Sequence, residues 1–267
     1  MNLKLLCTQV TQIAIQTGKF IQQQQKKISF ENIEQKGIND FVTYVDKEAE
    51  KRLVNFLKPL VKNAGFVTEE KTIPENTQEY TWIIDPLDGT TNFIHGLSPY
   101  AISIALQRNR ETILGIVYEI SLDEVFYSYE GTQAYLNNKP IKVSKADSIN
   151  QSLIAIGFPY NDFSRLDNFM ESLKYFMHHS HGIRRLGSAA TDLAYVACGR
   201  FEAFYEYSLK PWDVAAGAYI VQKAGGKVGD FQKKNQYVYG GEIVATNGHL
   251  YDDFMSIVQS FMNTKQN

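Results

Sequence analysis

The segment Thr81-Trp82-Ile83-Ile84-Asp85-Pro86-Leu87-Asp88-Gly89-Thr90-Thr91-Asn92-Phe93 constrains this chain more than any other. Its first four residues favour a buried strand. The strand is predicted to end at Asp85-Pro86, with Asp85 at its carboxyl end, and a turn through Pro86 and Leu87 brings Asp88 alongside. Two carboxylates so close repel each other unless a cation sits between them. Magnesium takes oxygen ligands, usually a few carboxylates plus waters and substrate phosphate oxygens. Gly89 lets the backbone approach a ligand closely. Thr90 and Thr91 can open a short helix whose first amides suit a phosphate. Asp-Pro or Asp-Gly alone is an ordinary turn. The whole string at the end of an apolar strand points instead to a metal and anion site.

Around this segment the pattern alternates between helical and strand periods. Helices are predicted over Leu3 to about Gln25, Tyr44 to Leu60, Phe163 to Met177, Ser188 to Cys198, Pro211 to Ala224 and Leu250 to Met262. Strands are predicted at Gly65 to Thr68, Tyr100 to Leu106, Thr112 to Tyr118, Glu124 to Tyr129, Gln133 to Leu136, Ser152 to Ile156, Phe201 to Tyr205 and Glu242 to Ala245. Lys36 to Asp40 reads as a turn. The order is helices, an antiparallel meander, then alternating strands and helices. That predicts a layered fold, α+β over residues 1–150 and α/β over 151–267, with the halves packed as one unit. At 267 residues and 44% hydrophobic, the chain can bury a sizeable core.

A formal net charge of −2 gives no global pull towards nucleic acid or an anionic membrane. It does not exclude an anionic substrate, since a bound metal can supply positive charge. Two cysteines, Cys7 and Cys198, are too few for a disulfide framework, so a reducing compartment is expected. The apolar stretch before Cys7 is too short for a lipoprotein signal, and no apolar run reaches the roughly 20 residues of a membrane span. The expectation is a cytoplasmic protein.

Four motifs in order carry a resemblance. Asp85 to Phe93 resembles the first signature of the inositol monophosphatase family. Trp212-Asp213-Val214-Ala215-Ala216-Gly217, followed by Ala224-Gly225-Gly226, resembles the second. Glu69-Glu70 is similar to the family's metal-binding glutamate motif, and Asp40 to Asp46 to the segment with its activating aspartate. The resemblance implies an αβαβα sandwich of the sugar phosphatase type and a phosphoric monoester hydrolase. It also implies two or three Mg2+ ions, lithium sensitivity and a homodimer. It implies that Glu69, Asp85 and the Leu87 carbonyl hold one ion, and Asp85, Asp88 and Asp213 a second. Asp46 and Thr90, with Glu69, would activate the attacking water. Gly89, Thr90 and Thr91 would grip the phosphate. Asp88, Ser188, Ala189, Glu206 and Arg184 would line the substrate side, Arg184 matching better than Arg185. Lys36 resembles a basic residue near the metals.

Each partner has a plainer reading taken singly. Asp46 can cap a helix, Asp213 can answer a helix dipole, and Glu69-Glu70 can be a solvated loop. His178-His179-Ser180-His181 lacks the spacing of a two-histidine metal helix. Gly225 to Gly229 follows a helix and is no dinucleotide fingerprint. The expected substrate is myo-inositol-1-phosphate. Fructose 1,6-bisphosphate, NADP, histidinol phosphate or 3′-phosphoadenosine 5′-phosphate remain alternatives, as does a non-catalytic regulator binding RNA polymerase or RNA. No nucleic acid or membrane partner is required.

Overall fold

A computed structural model describes residues 1–25, 27, 33–37, 40–159 and 162–263, without the side chains of 33–37 and 40–42. Part of the Lys36 to Asp40 turn, and the side chain of Lys36, therefore lie outside the described residues. The chain begins with α1 (Leu3–Gln25), an antiparallel pair β1 (Ile33–Gly37) and β2 (Asp40–Thr43), and α2 (Tyr44–Leu57). A first sheet then follows: β3 (Gly65–Thr68), β4 (Tyr80–Asp88), β5 (Ala101–Arg108), β6 (Glu111–Glu119), β7 (Glu124–Tyr129), β8 (Tyr135–Leu136) and β9 (Lys139–Pro140). These strands lie side by side in chain order, β3 parallel to β4 and the rest antiparallel. The short α3 (Thr90–Ile94) interrupts the step from β4 to β5.

The second sheet comprises β10 (Leu153–Ile156), β11 (Gly182–Arg184), β12 (Ala203–Tyr207), β13 (Lys227–Gly229) and β14 (Glu242–Thr246). Their order is β11-β10-β12-β14-β13, with β10 parallel to both neighbours and β14 antiparallel to both of its own. The intervening helices are α4 (Leu166–His179), α5 (Ala189–Ala197), α6 (Pro211–Lys223) and α7 (Tyr251–Met262).

Side-chain alternation on the strands sets the layers. Trp82, Ile84, Ile102, Ile104 and Ile116 turn one face of the first sheet to α1 and α2. Val67, Ile83, Ala105 and Val117 turn the other to α5 and α6, which also meet Ala155, Phe204 and Ala245 of the second sheet. Ile154, Ile156, Tyr205 and Val244 face α4 and α7. The five layers are helices, sheet, helices, sheet, helices: the αβαβα sandwich the motifs implied. In the outer layer the rings of Phe176 and Phe254 stack at 4.6 Å. Truncating a buried phenylalanine of this kind costs about 3–5 kcal/mol.

The helices follow their environment. α1 buries Leu6, Val10, Ile13, Ala14, Thr17 and Ile21, one stripe at helical spacing. α6 is buried continuously from Val214 to Val221 because it has a sheet on each side. It comes close to β6 because position 115 is glycine, where a Cβ would meet the Ala216 carbonyl oxygen at 2.8 Å. That approach sets how near α6 lies to β6, and Asp213 is about one turn before the contact.

Three strand features depart from the sequence reading. β4 does not end at Asp85-Pro86 but pairs with β5 to Asp88, with an irregularity between Asp85 and Asp88. The pair β1–β2 and the three-residue strand β13 were not expected, since strands so short carry no alternation to read. Asn137 and Asn138, both at positive φ, make the turn between β8 and β9. Among the described residues, no helix is long and apolar enough to cross a membrane.

Candidate active site

The carboxyl end of β4, the loop after β3, and the first turns of α5 and α6 converge on a cavity of about 340 Å³. It is lined by Glu69, Asp85, Leu87, Asp88, Gly89, Thr90, Thr91, Ser188, Ala189, Glu206 and Asp213. Arg185, Asp192, Lys71 and Lys210 line it too. Of the residues singled out from sequence, Asp46 and Arg184 are not in the lining. Asp46 lies directly behind it, and Arg184 lies elsewhere.

Asp46 is buried in the first turn of α2 and does two things. Its Oδ2 accepts the Thr43 amide at 2.9 Å and the Thr43 hydroxyl at 2.6 Å, closing a capping box. Its Oδ1 accepts the Thr90 hydroxyl at 3.0 Å. The cap and the contact to the cavity wall are therefore the same side chain. Burial raises the Asp46 carboxyl above its ordinary value, against the bonds from Thr43 and Thr90. The Thr90 Oγ1 also stands 2.9 Å from the Leu87 carbonyl oxygen, so its single proton serves one of two acceptors.

Asp85 is buried, and its Oδ1 accepts the Leu87 amide at 2.9 Å. Burial raises its carboxyl well above the ordinary value, and the charges of Glu69, Asp88 and Asp213 push the same way, as does a hydrogen bond with Glu69. Asp88 crosses to α5, its Oδ2 accepting the Ser188 hydroxyl at 2.6 Å and the Ala190 amide at 2.7 Å. Burial nonetheless lifts it to about 6, against those bonds and the charge of Arg185. Asp213 accepts the Lys210 amide at 2.7 Å, and the Ser103 hydroxyl pins the neighbouring Trp212 carbonyl at 2.9 Å. Glu69 arrives on the loop after β3, its amide on the Ile84 carbonyl at 3.3 Å. Gly89, at φ 89, turns the chain from β4 into α3 in a conformation other residues rarely adopt.

On the far wall Glu206, at the end of β12, is 6% exposed. Burial raises its carboxyl well above the ordinary value, Asp213 and Asp88 add to this, and Arg185 opposes it. Arg184 does not join this wall: its guanidinium folds onto the Ile183 carbonyl at 2.9 Å in an exposed position. β11 ends at Arg184, and it is Arg185, the first residue beyond the strand, that enters the cavity. Asp192 was missed because one acid in the first turn of a helix reads as a dipole partner. Its place four residues after Ser188, on the same face of α5, was the available signal. The histidine cluster stays apart, His179 stacking on Tyr175 at 4.1 Å.

Among the described residues, no three acidic, histidine or cysteine side chains are already drawn into a closed coordination shell. Asp85, Asp88 and Asp213 are held by the amide and hydroxyl partners above. The donor chemistry still fits a hard divalent cation. Asp85 carries the unfavourable charge of Glu69, Asp88 and Asp213, and carboxylate oxygens are what magnesium takes. The fit is one of donors and charge rather than of a ready-made shell.

The model of the inositol monophosphatase family matches residues 2–263. Nus factor SuhB of Pseudomonas aeruginosa is 37% identical over 247 residues, covering 91% of each chain. Inositol-1-monophosphatase of Mesorhizobium japonicum is 35% identical over 239 residues, 89% of this chain and 90% of the relative. The crystal structure of extragenic suppressor protein suhB from Bartonella henselae superposes with a TM-score of 0.90 at 33% identity, covering 96% of this chain and 98% of the other. Sequence, fold and cavity agree, and the chain belongs to the inositol monophosphatase family.

Proposed function

We propose that this protein hydrolyses the phosphate monoester of a small polyhydroxylated metabolite, myo-inositol-1-phosphate first among them, with magnesium as cofactor. One observation carries the reading. Four carboxylates, Glu69, Asp85 and Asp88 from the first sheet and its loop and Asp213 from the first turn of α6, converge on a single cavity, and the hydrogen-bonded pair Asp46–Thr90 stands at its edge at 3.0 Å.

In this reading Glu69, Asp85, the Leu87 carbonyl, Asp88 and Asp213 hold the metal. Bound magnesium supplies positive charge to the phosphate oxygens and lowers the pKa of water. The chain's own residues do the rest. Thr90 orients a water by its hydroxyl, and Asp46, made more basic by burial, takes the proton relayed through it. The backbone at Gly89, Thr90 and Thr91 receives the phosphate, as the opening of a helix does. Ser188 and Ala190 fix Asp88, Ala189 lies between them, and Glu206 with Arg185 faces the alcohol portion. Positioning and charge neutralisation are what phosphoryl transfer chiefly needs.

The test is phosphate release from inositol-1-phosphate, fructose 1,6-bisphosphate, NADP, histidinol phosphate and 3′-phosphoadenosine 5′-phosphate, with and without magnesium. Magnesium-dependent release, fastest from inositol-1-phosphate, is the expected result. Release independent of magnesium, or none from folded protein, sinks it.

A second reading comes from the names of relatives. The 37%-identical Pseudomonas protein is named a Nus factor, which favours a regulatory binding role beside or instead of turnover. Binding of the purified chain to RNA polymerase tests it. Undetectable binding removes this reading, and binding retained by a catalytically dead variant separates the two roles.

A further inference from the structure

We propose that Asp192 is a specificity-determining residue that accepts a hydrogen bond from a hydroxyl of the substrate's alcohol portion; this rests on the phosphatase reading of the same cavity. Asp192 is the fourth residue of α5, lines the cavity and is 1% exposed. Its Oδ1 is buried and has no hydrogen-bond partner. Buried polar atoms are almost always partnered, because leaving a carboxylate oxygen unsatisfied is costly. An unmatched acceptor just beneath a cavity wall invites a donor that a bound ligand brings with a small shift of the side chain.

Helix architecture does not account for it. The capping of α5 is done by Ser188, whose Oγ accepts the Thr191 amide at 3.4 Å and bonds the Thr191 hydroxyl at 2.7 Å. Nor does pairing. Asp192 feels the like charges of Glu206 and Asp88, and Arg185 is the opposing cation, shared with both of them. Three carboxylates thus share the charge of one guanidinium, which cannot neutralise them all. A vicinal polyol suits this wall, since each hydroxyl donates once and can still accept from Arg185. The phosphate end of the cavity, at Gly89 to Thr91, is built from other elements. A site that hydrogen-bonds a substrate hydroxyl discriminates strongly against analogues lacking it.

The experiment compares Asp192→Ala and Asp192→Asn with the parent protein on inositol-1-phosphate and on p-nitrophenyl phosphate, whose alcohol has no further hydroxyl. For Asp192→Ala, kcat/KM on inositol-1-phosphate is expected to fall roughly ten- to hundredfold, the range of one hydrogen bond to a charged group. Turnover of p-nitrophenyl phosphate should stay within about threefold, and Tm should hold or rise, since the variant removes an unsatisfied buried group. Asp192→Asn keeps the shape and one acceptor, and should fall between. Equal losses on both esters, an unchanged polyol rate, or a lowered Tm in both variants would overturn the proposal. Should the parent turn over neither ester, the phosphatase reading fails and the subsite is read by binding. A thermal shift of the parent with inositol-1-phosphate that Asp192→Ala abolishes sustains the subsite. The lack of any shift in the parent overturns it.

Discussion

The carboxylate of Glu50, wholly buried on α2, accepts the backbone amide of Glu70 at 2.7 Å. Its other oxygen accepts the Thr72 amide at 2.7 Å and the Thr72 hydroxyl at 2.6 Å. One side chain from the first helical layer thereby anchors the loop that carries Glu69 into the cavity. Glu50→Ala leaves three donors without an acceptor and is expected to cost about 2–4 kcal/mol of stability. The more telling consequence is for the metal. Its affinity, read by calorimetry on the folded variant, should weaken by tenfold or more, while kcat at saturating magnesium changes little. Unchanged magnesium affinity in a destabilised variant would reduce Glu50 to a structural role.

The wall opposite is held by a close approach. Gly157, just beyond β10, has room for no side chain, because a Cβ there would overlap the Glu206 carboxylate. Gly157→Ala must displace Glu206 from the cavity wall. The expected outcome is a loss of kcat/KM on inositol-1-phosphate of about tenfold or more, with p-nitrophenyl phosphate much less affected. Since only the far end of the Glu206 side chain has to give way, the cost in stability should be small. Parallel kinetics on the two esters and a denaturation curve check both halves. Equal losses on the two esters would mean that Glu206 does not read the alcohol.

Much of this site was legible from sequence because its residues announce themselves locally. Asp85 and Asp88 sit where a run of apolar, strand-favouring residues breaks, and Asp213 sits in a helix opened by Pro211. Glu50 and Asp192 were not legible for the opposite reason. Each is an acid on a helix, and such an acid faces solvent unless tertiary packing buries it. The burial of Glu50 depends on the loop at Glu70 to Thr72, and that of Asp192 on β12 and Arg185. The slip from Arg184 to Arg185 has a similar cause. β11 is three residues long, and where it stops decides which arginine leaves the strand towards the cavity. A layered fold could be inferred from the alternation of elements and its five-layer order from the motifs, but edge strands such as β13 have too few residues for a period.

Charge in the carboxylate cluster makes stability depend on pH. A carboxyl whose folded-state value is raised holds its proton longer in the folded than in the unfolded chain. Its contribution is therefore full below the unfolded value and lost as pH rises through the folded one. For Asp88 that window runs from 3.8 to about 6, and the cost above it is on the order of 3 kcal/mol. Asp85, raised well above the same ordinary value, acts in the same direction. Magnesium binds the ionised form, so its stabilisation should grow over the same window. Melting curves at pH 5, 6, 7 and 8 with and without magnesium should show the gap widening with pH. Asp88→Asn should melt higher than the parent without metal at pH 8 and respond less to magnesium. A gap that narrows with pH would contradict the assignment of these carboxylates to a metal.

Asp46 and Thr90 are joined by one hydrogen bond, and their substitutions should report on one function. Asp46→Asn removes the base, and Thr90→Val removes the hydroxyl between it and the cavity. Each is expected to lower kcat by about 10²–10⁴. Groups that act as a unit are not additive, so the double variant should be scarcely slower than either single one. Thr90→Ser keeps the hydroxyl and should recover most of the activity. The cap distinguishes the two residues. Asp46 also accepts the Thr43 amide and hydroxyl, so Asp46→Asn should cost about 1 kcal/mol, a few degrees in Tm for a chain of this size. Thr90→Val leaves the α2 cap intact and should melt close to the parent. Multiplied losses in the double variant, or full activity in Thr90→Val, would separate the pair and leave Asp46 as a helix cap alone.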